Sequence, residues 1–143
     1  MNDAFSRTPP PLEGRENSLV PSDFRATLNV LIVDDERTLR ETCRTILSGL
    51  GYRVEAASRG EEGIALLQRK AFDIVLSDLY LPDLTGVDVT KAALERTPAP
   101  IVVVMTGNPS VASNVEVLRA GAWDYLPKPF SATHLEILIG RAA

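Results

Sequence analysis

An open, doubly wound α/β sheet of parallel strands is the fold this sequence predicts, and three observations carry it. Short apolar runs such as Val30-Leu31-Ile32-Val33, Ile74-Val75-Leu76 and Ile101-Val102-Val103-Val104 recur along the chain. Segments with helical spacing of apolar residues separate them. Glycine or proline marks most changeovers. Strands buried on both faces read as continuous apolar runs, and regular alternation of strand and helix builds a parallel sheet covered on both sides.

Each element can be justified in turn. Residues 1–26 hold Pro9, Pro10, Pro11 and Pro21, four of the ten prolines, and few apolar residues. They read as a flexible Pro-rich N-terminal tail, because proline donates no backbone hydrogen bond. The folded domain is expected over 27–143. A strand at 29–33 precedes a helix from about Glu36 to Leu50. Leu39, Cys43, Ile46, Leu47 and Leu50 form one apolar stripe on that helix, and Gly51 ends it. Tyr52 to Ala56 is a second strand. Ser58-Arg59-Gly60-Glu61 opens a helix to about Lys70, and Phe72 to Ser77 is a third strand. The loop 81–86 feeds a helix from Val87 to Arg96, which Pro98 and Pro100 stop before the fourth strand. Pro109 suits the first turn of the next helix, whose expected apolar face is Val111, Val115 and Leu118, and Gly121 closes it. A fifth strand, Ala122 to Leu126, and a last helix from Ser131, with Leu135, Leu138 and Ile139 inward, complete a (βα)5 unit. The flavodoxin-like strand order 2-1-3-4-5 is taken over from that known fold rather than derived from the pattern.

Bulk properties narrow the function. A chain of 143 residues with 45% apolar and 24% charged residues supports one domain with a full core. The net charge of −4 and scattered basic residues speak against direct nucleic-acid binding. The single Cys43 precludes an internal disulfide. No apolar stretch approaches a membrane span, and the N-terminus lacks a secretory pattern.

The polar residues that close the apolar runs carry the chemistry. Asp34-Asp35 follows the first run, Asp78 the third, Thr106 the fourth and Lys128 the fifth. In an open parallel sheet the C-terminal strand ends share one edge, where ligands bind. Alone, Asp34-Asp35 reads better as a helix cap than as a metal site. Together with Asp78 and Lys128 the pair reads as a site for a divalent cation and a phosphoryl group. Crowded carboxylates resist ionisation without a cation, and Mg²⁺ takes oxygen ligands. Asp78 can act as a nucleophile, since carboxylates form aspartyl phosphates. Lys128 and Thr106 can balance charge on, and donate to, the phosphoryl oxygens.

These residues sit in stretches that resemble the receiver domains of two-component response regulators. The stretches are Val33-Asp34-Asp35-Glu36, Ser77-Asp78-Leu79 with Leu81-Pro82 and Gly86, Met105-Thr106-Gly107, and Gly121 through Phe130. The resemblance spans about residues 28–143, and the last stretch is most similar to receivers of sigma-54-type (NtrC-like) activators. It implies that Asp78 accepts a phosphoryl group from a histidine kinase or phosphotransfer protein. It implies that Asp34, Asp35, Asp78 and the backbone carbonyl of Tyr80 hold Mg²⁺ or Mn²⁺. Thr106 and Lys128 would bind the phosphoryl group, and Tyr125 would change rotamer on activation. The Lys128-Pro129 bond would be cis. The fourth helix, fifth strand and fifth helix, with Asn114, Arg119, Trp123 and His134, would form the switching surface and a homodimer contact. A phosphoacceptor rather than an enzyme, in the bacterial cytoplasm and off the membrane, is the expectation. A single-domain regulator and a receiver cut from a longer chain both fit, the NtrC-like stretch favouring the second.

Three departures from the family pattern stand out, one of them Asn108, two residues after Thr106, which with Tyr80 would flank the path of the water that attacks a phosphoryl group. Tyr80 occupies the second position after Asp78, where it either shields a phosphoryl group or points to solvent. Thr85 stands where an acid is common. Rival readings fare worse. An Asp-based phosphatase needs a second acid two residues after the nucleophile, and 78–80 reads Asp-Leu-Tyr. A nucleotide or flavin module needs a glycine-rich first turn, and this turn reads Asp34-Asp35-Glu36-Arg37. A phosphorylation-independent receiver-like protein-binding module remains the alternative, against which the full Asp34, Asp35, Asp78, Thr106 and Lys128 set weighs.

Overall fold

The computed structural model describes residues 21–143. Five strands, β1 (Asn29–Val33), β2 (Arg53–Ala57), β3 (Ile74–Asp78), β4 (Ile101–Thr106) and β5 (Asp124–Pro127), form one parallel sheet in the order β2-β1-β3-β4-β5. The expected order and the (βα)5 architecture are thus both present. Six helices accompany the sheet: α1 (Ser22–Arg25), α2 (Arg37–Gly49), α3 (Gly60–Arg69), α4 (Gly86–Leu94), α5 (Val111–Arg119) and α6 (Ala132–Ala142).

Side chains alternate across a strand, so each buried run feeds two cores. Val30, Ile32, Ile74, Leu76, Val103 and Met105 join Cys43 and Leu47 of α2 and Leu135, Leu138 and Ile139 of α6 in one. Leu31, Val33, Val75, Val102 and Val104 join Leu67 of α3, Val89 and Ala93 of α4 and Val117 of α5 in the other. Gly51 and Gly121 both have positive φ, at 104° and 107°, which is why glycine ends α2 and α5.

Three expectations need correction. The first is the inner face of α5. Val115 and Leu118 are 42% and 46% exposed, whereas Ser113 and Val117 are buried; Val111 begins the helix. The second concerns the tail. Residues 1–20 lie outside the described residues, but Ser22–Arg25 is a helical turn, Arg25 is 4% exposed, and Leu28 N–H donates to the Arg25 carbonyl at 3.0 Å. The third is Thr85, a departure from the family pattern with no role assigned above. Its hydroxyl accepts from Asp88 N–H, and the Asp88 carboxylate accepts from Thr85 N–H, a capping box that starts α4.

Candidate functional site

Register builds the site. Val33 pairs with Ser77, so Asp34 and Asp78 leave the sheet side by side. Both continue the even-numbered positions of their strands and so fall on the α2–α6 side of the sheet. Thr106 pairs with Pro127, which brings Lys128 to the same edge. Lys128 N–H donates to the Thr106 carbonyl at 2.7 Å, and the Lys128-Pro129 bond is cis as expected.

Oxygen atoms of Asp34, Asp35 and Asp78 all lie within 4.8 Å of one another. Asp34 is fully buried, Asp78 is 8% exposed, and Asp35 faces solvent. Lys128 Nζ stands 3.0 Å from Asp34 Oδ2 and 3.4 Å from Asp78 Oδ2, so a single ammonium bridges two acids. Burial pushes the Asp78 carboxyl above the usual carboxylate range. Asp34 pushes the same way, and Lys128 only partly offsets them. Burial opposes the charge on Lys128, yet the hydrogen bond and charge of Asp34, with those of Asp78, outweigh it and hold its pKa above the ordinary lysine value. Directly beneath, the buried Cys43 thiol is pushed up to about 11 by burial and by Asp34, so it stays a neutral core group.

Thr106 is 1% exposed at the neighbouring strand end, and its hydroxyl accepts from Asn108 N–H at 3.1 Å. The loop after Asp78 doubles back tightly. Leu79 N–H donates to the Met105 carbonyl, Gly86 N–H donates to the Leu79 carbonyl, and Tyr80 pairs with Thr85. A Cβ on Gly86 would stand 2.6 Å from the Asp78 carbonyl oxygen, so this close return needs glycine. Tyr80 is 56% exposed, which favours the solvent-pointing reading of its side chain. Tyr125 lies apart from the acids. With Pro109, Ser110 and Asn114 it lines a hollow of about 300 Å³, and its buried hydroxyl has no hydrogen-bond partner among the described residues. Asn114 is half-buried, and Arg119, Trp123 and His134 are exposed.

Sequence reasoning missed the contacts that hold the first acidic turn. Asp34 Oδ1 accepts from Glu36 N–H at 2.9 Å, and Arg40 Nη1 donates to the Asp34 carbonyl at 2.9 Å. The first is the kind of side-chain-to-amide contact that the helix-cap reading of Asp34-Asp35 anticipates, whereas the second has no sequence signal, since it runs to a backbone carbonyl. A hollow of about 610 Å³ along α2, lined by residues from Arg37 to Ile46, contains none of Asp34, Asp35 and Asp78. A smaller one of about 420 Å³, lined by Glu36, Leu39, Gly107, Lys128, Pro129 and Phe130, opens beside the site.

The donor set suits a hard divalent cation: three carboxylates converge, one ammonium falls short of neutralising them, and one acid faces water. Comparison with known proteins agrees with the fold. The family described as "Response regulator receiver domain" matches residues 30–139. The response regulator MprA of Mycobacterium sp. (strain KMS) is 40% identical over 114 residues, covering 80% of this chain and 48% of that protein. The transcriptional regulatory protein ZraR of Salmonella typhimurium is 34% identical over 119 residues, covering 83% of this chain and 27% of that protein. The chain thus spans less than half the length of either. The beryllofluoride-activated NtrC4 receiver domain, solved as a dimer, superposes with a TM-score of 0.75 at 32% identity, covering 80% of this chain and 94% of that one.

Proposed function

Because the chain belongs to the response regulator receiver domain family, we propose that it is a phosphoacceptor switch whose Asp78 takes a phosphoryl group from the phosphohistidine of a histidine kinase or phosphotransfer protein. The observation that carries this reading is the meeting of Asp34, Asp35, Asp78 and Lys128 at one strand edge. An Asp78 oxygen attacks phosphorus in line. The P–O bond forms as the P–N bond breaks, and the electron pair of the broken bond returns to the imidazole nitrogen. Lys128 Nζ is already poised beside Asp78 to bind a phosphoryl oxygen, and the Thr106 hydroxyl is held at the adjacent strand end to donate to another. Asp34, Asp35, Asp78 and the Tyr80 carbonyl would hold Mg²⁺ or Mn²⁺. Bound there, the cation supplies the positive charge that lets the acids and the phosphoryl oxygens share one small volume. The chain acts on itself, assisting its own phosphorylation and dephosphorylation, rather than turning over a separate substrate.

The signal leaves through Thr106 and Tyr125. A phosphoryl group draws the Thr106 hydroxyl away from Asn108 N–H and toward itself. The Tyr125 ring, whose buried hydroxyl lacks a partner among the described residues, then repacks beside β4. Such a switch is a population shift, as large as the difference in how the phosphoryl group binds the two states. The face it alters is α5–β5–α6, which carries Asn114, Arg119, Trp123 and His134. A homodimer through that face and control of a partner or an attached output domain are its outputs; the beryllofluoride-activated NtrC4 receiver is itself a dimer. The setting is the bacterial cytoplasm; among the described residues no helix is long and apolar enough to cross a membrane.

Beryllofluoride, a phosphoryl mimic, tests the switch by amide NMR. With Mg²⁺ it should shift Asp78, Thr106 and Lys128 together with Tyr125 and α5. Shifts confined to the residues around Asp78 would contradict the proposed path.

A further inference from the structure

Asp83 lies at the tip of the loop that follows Asp78, yet its carboxylate works on a different element. Oδ1 accepts from Gly60 N–H and Oδ2 from Glu61 N–H, both at 2.8 Å. These are amides of the first turn of α3, a helix whose own N-cap residue, Arg59, makes no side-chain cap. A helix N-terminus leaves such amides orphaned and favours a negative charge beside them. Oδ1 also accepts from Leu84 N–H at 3.1 Å, so the same carboxylate shapes its own turn. These amide bonds, led by that of Glu61, hold the Asp83 carboxyl below the usual range. Packing supports the same contact independently: a Cβ on Gly60 would fall 2.1 Å from Leu84 Cδ1, so Leu84 is seated where only glycine leaves room.

We infer that Asp83, docked on the start of α3, is a positioning residue for divalent-cation binding at Asp34, Asp35 and Asp78. The inference rests on the metal reading proposed above. The loop is closed at its base by the Tyr80–Thr85 pair and by Gly86 N–H on the Leu79 carbonyl. Its tip has two anchors, the Asp83 carboxylate and the Leu84 side chain. Tyr80, whose carbonyl would ligate the cation, is one half of the pair at the base, so the tip's two contacts with α3 fix the orientation of the whole hairpin that presents it. With Asp83 released, the loop keeps its base and loses its fixed orientation, and a ligand supplied by the backbone is no longer pre-placed. Groups that orient metal ligands commonly matter nearly as much as the ligands.

Calorimetric titration of the full chain with MgCl2 alone tests this. Asp83→Ala should weaken Mg²⁺ binding about tenfold, and Asp83→Asn, which keeps the side chain's shape and one acceptor oxygen, by less. Ser110→Ala removes a comparable cap from α5, far from the loop, and should lower thermal stability while leaving Mg²⁺ affinity unchanged. In phosphorylation by acetyl phosphate, Asp83→Ala should raise the half-saturating Mg²⁺ concentration and keep the plateau rate. Wild-type affinity in Asp83→Asn and Asp83→Ala would overturn the inference, as would a lowered plateau with unchanged half-saturation. Wild type that takes up no Mg²⁺, or binds it as well after Asp34→Asn, would overturn the metal reading and this inference with it, a pattern distinct from loss of the Asp83 effect alone.

Discussion

Asp78 is buried between a like charge and an opposite one, and its raised pKa has a consequence for stability. A carboxyl whose pKa is higher folded than unfolded binds its proton more tightly in the folded protein. Stability therefore falls as pH rises from the unfolded value of 3.8 through the folded one, and stays lowered above it. In Mg²⁺-free buffer at neutral pH, Asp78→Asn should unfold at higher temperature than wild type, a gain of about 1 kcal/mol. The gap should close in acid, where wild-type Asp78 is itself protonated. Lys128→Met should do the opposite. It strands the fully buried Asp34, and removal of one partner of a buried ion pair costs about 3 kcal/mol. Thermal melts with and without Mg²⁺ read both, and the cation should restore part of the Lys128→Met loss. Asp34, Asp35, Asp78, Thr106 and Lys128 were legible because each is a polar residue closing an apolar run. Arg40 and Asp83 were not. Their partners are backbone groups, which every residue carries and no sequence pattern marks.

At the scale of elements, α5 shows how a short helix misleads. Val111, Val115 and Leu118 have helical spacing, but so do Ser113 and Val117, and nine residues do not separate the two stripes. The sheet decides: Val117 packs into the core and is 1% exposed, leaving Leu118 outside at 46%. Val117→Ala should cost about 2 kcal/mol in urea denaturation and Leu118→Ala no more than about 0.5 kcal/mol. Equal losses would contradict the assigned face. On α2 and α6 the stripes were legible, because a longer run of apolar positions fixes a single face. The loop into α4 obeys steric limits that the sequence hints at only by placing a glycine there. Gly86→Ala forces a contact with the Asp78 carbonyl and should destabilise the fold by about 1–3 kcal/mol. It should also slow phosphorylation, because the loop shifts the acceptor itself.

Across the whole molecule, one parallel register turns five scattered residues into a site. Four of the five strands, all but β2, contribute their last residue or the one or two just beyond, and the sheet aligns those ends. The alternation of strand and helix gave the architecture, whereas the strand order came from a known fold, since local patterns do not say which strands are neighbours. The helical turn inside the expected tail was not legible for a related reason: Arg25 is buried by contacts that composition does not report. The central claim, that this edge is a phosphoacceptor site, is tested most directly by intact mass after incubation with acetyl phosphate and Mg²⁺. Wild type should gain the mass of one phosphoryl group. Asp78→Asn, and wild type with the cation chelated, should gain none. A folded wild type that gains nothing, or an Asp78→Asn variant that gains as much, would contradict the account.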